Sequence, residues 1–229
     1  MLRGPLGAGN VFVSDIFHEV DEEVRREQLK KLWDRYSIFI IALAVLVVAG
    51  VGGWRGYEWL EAKKAAENGA AFEAAVTLAE QGKHAEAETA FAKIAGDGTA
   101  GYRVLARLRA ASELAQTDVK AAAKAFDEVA TDPGVSQTLQ DLAAIRAGLL
   151  LVDSASFDEM QRRLAPLAEP GRPFRHTARE LLALSAWKAG DAKDAKRYID
   201  MIASDPESPQ ATRARVDVLS SLMAGAGKS

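Results

Sequence analysis

The chain has 229 residues, a formal net charge of −3 and no cysteine. No basic stripe of the kind that binds a phosphate backbone is present, which argues against a nucleic-acid partner. The absence of cysteine means that the chain forms no disulfide and lacks the usual spacing of zinc ligands.

The first part of the chain has two sections of different composition. Residues 1–13 combine glycine and proline with no hydrophobic periodicity, and we expect them to be disordered or to precede the true translation start at Val13. Residues 14–35 carry many acidic and basic side chains, with apolar residues at i, i+4 and i+8. That spacing predicts an amphipathic helix, for which Ser14 or Asp15 is a suitable N-cap.

Residues 36–56 form the next segment, which is uncharged over the 19 residues from Tyr36 to Trp54. A helix of that length covers about 28 Å, close to the roughly 30 Å hydrocarbon core of a bilayer. A buried helix of a soluble domain would carry a polar face. A cleaved signal peptide has a shorter apolar block, and the bulky Tyr57 and Trp59 that follow suit a membrane interface. We therefore predict a retained transmembrane helix over residues 36–56.

The distribution of basic residues around this segment predicts its orientation. Those before it are Arg25, Arg26, Lys30, Lys31 and Arg35, and those after it are Arg55, Lys63 and Lys64. The excess on the N-terminal side favours a cytoplasmic N-terminus. In a bacterial cell this predicts a single-pass protein of the inner membrane, with residues 57–229 in the periplasm.

Small residues within the span could let a second membrane helix approach closely. Gly52 and Gly56 form a G-x-x-x-G pair, and Ala49 with Gly53 forms a second small pair on nearly the same face. We list Ala49, Gly52, Gly53 and Gly56 as candidates for packing within the membrane.

Beyond the span the sequence becomes rich in helix-forming residues, with breakers at regular distances. Four stretches align without internal gaps on the large apolar residues Phe91, Phe126, Leu164 and Ile199, at spacings of 35, 38 and 35 residues. Four positions earlier stand Ala87, Ala122, Met160 and Ala195, of which Met160 is the one large residue. Seven residues before each turn stand Ala75, Ala110, Gly148 and Ala183. Since small residues let antiparallel helices pack closely, the pattern predicts an all-α fold of helix-turn-helix units. An irregular helical bundle is the alternative.

The pattern resembles the tetratricopeptide repeat, most clearly from Lys188 to Ile199 and in the closing Asp205-Pro206. The tryptophan and the Leu-Gly pair that are usual in this repeat are missing from every unit, and the third unit has a three-residue insertion and a helix-interior Pro166. Together with the predicted span, the resemblance implies a single transmembrane helix followed by an α-α solenoid of about four degenerate repeats.

The order of the segments resembles the YfgM-type family, ancillary subunits of the bacterial Sec translocon. The charged N-terminal helix, the single span, the aromatic stretch after it and the degenerate repeats carry this likeness. It implies a scaffold that is associated with the Sec translocon and that contacts periplasmic chaperones or emerging chains. A periplasmic organiser of envelope assembly or cell division with the same scaffold is the alternative.

We expect no catalytic residue, no cofactor, no metal and no small-molecule substrate. His18, His84 and His176 lie in separate segments, and we interpret His84 as a solvated turn residue. The terminal GAGKS lacks the first glycine of a P-loop and its strand and helix context. A hydrolase hidden in the helical domain is a third, weaker hypothesis.

In a tetratricopeptide array the first helices of the units line a groove. Carrying the repeat positions over gives the candidate partner-binding residues Phe72, Val76, Arg107, Ile145, Leu149 and Trp187. The alternative is that these side chains belong to the core, covered by neighbouring repeats or by the final helix, residues 208–224.

Overall fold

A computed structural model describes residues 12–226. The expectation for residues 1–13 falls almost entirely outside the described residues. The helices are α1 (Phe12–Glu80), α2 (His84–Asp97), α3 (Ala100–Leu114), α4 (Val119–Ala130), α5 (Gln137–Leu151), α6 (Phe157–Leu164), a 3-10 helix (Ala165–Leu167), α7 (Arg175–Lys188), α8 (Ala192–Ala203) and α9 (Gln210–Ala226). Since the described residues contain no strand, the all-α prediction is confirmed.

The predicted charged helix and the predicted span lie on one continuous helix, α1. Within it, an 18-residue window has a mean hydropathy of 2.4, and none of that window is buried. By length and composition this stretch is able to cross a membrane. The chain divides into two compact units, one ending at Leu60 and the other beginning at Glu61.

In the second unit the helices pack in pairs along the chain. The end of α1 pairs with α2, α3 with α4, α5 with α6, and α7 with α8. We call the first helix of each pair the leading helix and the second the trailing helix. Each trailing helix also contacts the next leading helix. In addition, the leading helix α7 contacts two other leading helices directly, α5 and α9. This is the nearest-neighbour packing of an α-α solenoid.

The predicted register of the trailing helices is confirmed. All eight of its positions are buried: Ala87, Ala122, Met160, Ala195, Phe91, Phe126, Leu164 and Ile199. The apolar residues three positions after the last four of these are buried as well: Ile94, Val129, Leu167 and Ile202. On the leading helices Ala75 and Ala183 are fully buried and Gly148 is buried, as the pattern requires. Ala110 is only half-buried, and its neighbour Ala111 lies in the core instead.

The difference at Ala110 follows from the turn after α3. Gly82 and Gly190 end their leading helices with φ of 75° and 78°, the left-handed conformation that glycine adopts without strain. At each, the next residue donates its backbone N–H to a carbonyl five residues back, as in Lys83 to Leu78. Thr117 stands at the aligned position without a positive φ. In the third unit Ala155, which also lacks a positive φ, donates its N–H to the carbonyl of Leu151, and after α3 the residue that makes the same bond is Asp118, to Leu114. Seven residues before Asp118 is Ala111, which is why Ala111 and not Ala110 lies in the core.

Pro166 changes how the trailing helix of the third unit ends. The α-helix stops at Leu164, and Pro166 lies in the 3-10 helix that follows. Proline has no N–H to donate and clashes with the preceding turn of an α-helix. The expectation of a helix-interior Pro166 was therefore wrong, and the short α6 is the consequence.

Candidate protein-binding surface

The six predicted groove residues fall into three kinds of environment. Phe72 and Val76 are half-buried against the core of the first unit, where the Phe72 ring lies 5.0 Å from the Phe91 ring. Arg107 is half-buried and donates to the Asp132 carboxylate, which ties α3 to the loop after α4. Ile145 is only 4% exposed and lies in the core. For Ile145 the expectation of a groove residue is corrected, because its side chain is enclosed by neighbouring helices.

Leu149 and Trp187 remain accessible, at 48% and 37% exposure. Trp187 lines a cavity of about 450 Å³ at the C-terminal ends of α5 and α7. Its other lining residues are Val152, Asp153, Leu184 and Lys188. Lys188 Nζ donates to the Asp153 carbonyl and so joins the two helix ends. The result is an apolar cleft with one cation and one acidic residue at its edge.

The final helix does not cover this cleft. Helix α9 packs on α7 and α8 and buries Val216 and Leu219. Leu149 and Trp187 stay exposed in its presence. The alternative that the final helix hides the predicted groove is therefore wrong for these two side chains.

A polar cluster holds α7, the helix that carries Trp187, against the connection between α8 and α9. The Asp205 carboxylate accepts hydrogen bonds from Arg175 Nε at 2.9 Å, His176 Nε2 at 3.0 Å and Arg179 Nη1 at 3.0 Å. The bond from Arg175 is the main cause that holds the pKa of Asp205 below its usual range. Arg179 is buried and also donates to two backbone carbonyls. These bonds fix the position and direction of α7.

A second and larger cavity, of about 540 Å³, lies between α4, α5 and α6. Two ion pairs lie in its wall, Arg163 with Asp127 at 2.7 Å and Arg172 with Asp141, although Asp141 Oδ2 and Arg172 Nε have no hydrogen-bond partner among the described residues. The wall of this cavity is thus polar and charged, whereas contiguous exposed apolar surface is what marks a protein-interaction site. The apolar cleft is for this reason the better candidate for a binding surface, although it is smaller.

His84 is not a solvated turn residue as expected. Its Nδ1 lies 2.7 Å from the carboxylate of Glu113, a buried residue at the end of α3. The two side chains join the start of α2 to the next leading helix. Among the residues whose side chains the structure describes, no group of three or more His, Cys, Asp or Glu residues is placed to hold a metal ion.

The four candidate packing residues of the span lie on an open surface. A Cβ atom added at Gly52, Gly53 or Gly56 would meet nothing within 4 Å, and Ala49 is exposed. Packing of this face against another membrane helix stays a prediction.

Sequence reasoning missed Asp153 and Lys188 as lining residues, and it missed Val218 and Leu222 on α9. Val218 and Leu222 are 62% and 53% exposed. Their i, i+4 spacing was a readable signal, because such residues share one face of a helix.

A family model described as a tetratricopeptide repeat-like domain matches residues 30–196. That range includes the apolar stretch of α1 and ends within α8. No curated protein and no solved structure matches the chain.

Proposed function

Since the chain belongs to the tetratricopeptide repeat-like domain family, we propose that it is a membrane-anchored scaffold that binds partner proteins through the cleft between α5 and α7. One observation carries the proposal: Trp187 lines a cavity of about 450 Å³ and stays exposed, and the exposed Leu149 precedes the lining residue Val152 by three residues. Contiguous exposed apolar surface on a folded domain marks an interaction site. Large aromatic side chains such as tryptophan are also frequent among the residues that dominate binding energy.

The anchor in this proposal is the apolar stretch of α1, running through the inner membrane of a bacterial cell. Its exposed side chains, such as Ile38 and Val48, would be costly in water and are suited to lipid. The excess of Lys and Arg before the stretch supports a cytoplasmic N-terminus and a periplasmic repeat domain.

The partners we propose are the Sec translocon and periplasmic chaperones, on the basis of the resemblance to the YfgM-type family. The span, with Ala49 and Gly52 on its open face, and the charged N-terminal helix would contact the translocon. The cleft would contact a chaperone or an emerging chain. In this proposal the protein binds without turnover, uses no cofactor and has no small-molecule substrate.

Site-specific photocrosslinking in native membranes tests the cleft. Leu149→Ser combined with Trp187→Ser should abolish crosslinks to periplasmic partners and leave membrane association intact. The matched control is Leu105→Ser with Val119→Ser, which removes two side chains of comparable exposure, 46% and 43%, outside the cleft lining. Equal crosslinking by both double variants would refute the cleft as the binding surface.

Exchange of residues 14–56 for an unrelated anchor tests whether the span and the repeat domain bind different partners. Translocon subunits should be lost from purified complexes and periplasmic partners should be retained. Recovery of cell-division or wall-synthesis proteins with the natural chain would favour the alternative, an organiser of envelope assembly.

A periplasm-specific reporter tests the proposed topology. It should be active when fused after Ser229 and inactive when fused after Lys31, and reversed activities would refute the topology.

A further inference from the structure

The cavity of about 540 Å³ between α4, α5 and α6 shares no lining residue with the apolar cleft. Its wall combines charged and amide side chains with an apolar part formed by Ala130, Ala144, Pro166 and Leu167. Small-molecule sites are usually cavities of about 300–1,000 Å³ in which a few polar groups decide what binds. The cavity is therefore a candidate site for a small ligand, and its polar groups indicate which kind.

The Asp141 carboxylate in the wall of this cavity is satisfied at one oxygen only. Asp141 is 2% exposed. Its Oδ1 accepts hydrogen bonds from Gln137 Nε2 at 2.9 Å and from Arg172 Nη2. Its Oδ2 is buried and has no partner among the described residues. Since a buried acceptor without a donor costs free energy, this oxygen favours a ligand that brings an N–H group to it.

Arg172 offers the opposite kind of group at the same place. Its Nε is also buried and lacks a partner among the described residues, although its Nη2 donates to Asp141 Oδ1. Because the two side chains already touch, the unpartnered donor and the unpartnered acceptor lie close together. The Arg172 side chain is 30% exposed and that of Asp141 is 3% exposed. Arg172 is thus the member of the pair that is able to rotate and admit a ligand.

The Arg162 guanidinium is a third polar group that is available at this cavity. It is exposed on α6 and makes no hydrogen bond or ion pair with any residue that the structure describes. The neighbouring Arg163 differs, since it binds Asp127 at 2.7 Å and Glu159 at 3.3 Å. Arg162 is free to bind an anionic group, and a guanidinium suits a carboxylate because it donates two parallel hydrogen bonds.

The signs of these groups favour a ligand that carries both charges. A simple anion would face the Asp141 carboxylate, and like charges repel strongly where water is excluded. A simple cation would leave Arg172 Nε and Arg162 without an acceptor. A zwitterion satisfies all three groups. Since the donor and the acceptor lie close together, its ammonium and carboxylate must also lie close together, as they do on the single α-carbon of an amino acid.

We propose that the cavity between α4, α5 and α6 binds a free α-amino acid with an apolar side chain. The ammonium donates to Asp141 Oδ2, and the carboxylate accepts from Arg172 Nε and Arg162. The side chain of the ligand packs on the apolar part of the wall, which includes Ala144 and Leu167. This inference goes beyond the proposed function, because the ligand is bound without turnover and at a separate place from the partner protein.

Isothermal titration calorimetry of the full chain in lipid nanodiscs tests the inference, with L-leucine as the probe. Leucine should bind saturably. N-acetyl-leucine lacks the ammonium and leucine amide lacks the carboxylate, so each should bind at least about tenfold more weakly through the loss of a charge-assisted hydrogen bond. 6-Aminohexanoate, whose two charges lie far apart, should also bind at least about tenfold more weakly than leucine.

Arg162→Gln is the variant that separates binding from folding, because Arg162 is exposed and holds no other residue in place. It should weaken leucine binding by roughly tenfold and leave the weak binding of leucine amide unchanged. The matched control is Arg103→Gln, an exposed arginine of α3 outside the cavity lining, which should bind leucine as the natural chain does. Asp141→Asn should abolish leucine binding, with circular dichroism as the check that this variant is folded.

Several results would overturn the inference. They are the absence of saturable leucine binding, equal binding of N-acetyl-leucine, and equal leucine affinity of the Arg162→Gln and Arg103→Gln variants. A lower Tm of Asp141→Asn with unchanged leucine binding would overturn it too, since Asp141 and Arg172 would then only join α5 to the segment before α7. None of these measurements involves Leu149 or Trp187, so a failure here is distinct from a failure of the proposed function.

Discussion

Replacing Gly148 by alanine is expected to destabilise the repeat domain, although alanine is the better helix former. A Cβ atom at position 148 would lie 3.0 Å from Cδ1 and 3.2 Å from Cδ2 of Leu164. Leu164 is fully buried, so its side chain has no open space to enter. Overpacking costs about 1–3 kcal/mol, while the change from glycine to alanine in a helix gains about 0.5–1 kcal/mol. The net effect is a loss of about 1 kcal/mol, or roughly 2–4 °C in Tm.

The measurement is thermal unfolding of the full chain in mild detergent, followed by far-ultraviolet circular dichroism. Gly101→Ala in α3 is the matched control, because a Cβ atom there meets nothing within 4 Å. This variant should be stabilised by a few tenths to about 1 kcal/mol. The same chemical change should thus act in opposite directions at the two sites.

A double-mutant cycle identifies the cause. The three atoms nearest to the added Cβ, namely Cγ, Cδ1 and Cδ2, all belong to Leu164. In a Leu164→Ala background the cost of Gly148→Ala should therefore disappear. If the cost persists there, or if Gly148→Ala raises Tm as much as Gly101→Ala, the described contact between α5 and α6 is wrong.

Two further predictions concern the cores and the polar cluster. Phe91→Ala removes a fully buried ring that packs against Phe72. It should lower the free energy of unfolding by about 3–5 kcal/mol, measured by urea titration. A loss below about 1 kcal/mol would contradict the described packing of α1 against α2. Asp205→Asn should flatten the acid dependence of Tm. The folded-state pKa of Asp205 is lowered, chiefly by Arg175, so its stabilisation is present above the unfolded pKa of about 3.9 and is lost as pH falls below it. Asp200→Asn, at an exposed pair with Lys196, should keep the acid dependence of the natural chain.

The trailing helices could be predicted from the sequence because volume alone decides their buried positions. Phe91, Phe126 and Ile199 recur at fixed spacing since each fills the same gap between neighbouring helices. The turns at Gly82 and Gly190 could also be predicted, because both positions need a positive φ, which glycine adopts without strain. Where the chain ends a helix in another way, as at Thr117, the sequence register shifts and a prediction that depends on it fails.

The exposed surface could be predicted less well, since exposure depends on the placement of other helices. Ile145 and Leu149 are both apolar residues of the same helix, yet one is 4% and the other 48% exposed. No local pattern separates them, because neighbouring helices enclose Ile145 and leave Leu149 accessible. For α9 the alignment with the other leading helices could not be predicted. It becomes clear from a shared contact: Arg213 of α9 donates to the backbone carbonyl of Asp205, as Gln140 of α5 donates to that of Asp132.

Helix α9 meets two requirements that oppose each other. As the last helix of the described residues it offers water a polar face, since Ser220 and Ser221 are exposed and Leu182 and Ala183 of α7 are buried. Beside these serines it keeps the large apolar side chain of Leu222 53% exposed. A helix that served only as a cap would gain solubility from a polar residue at position 222. The exposed Leu222 is therefore not explained by a capping role of α9 alone.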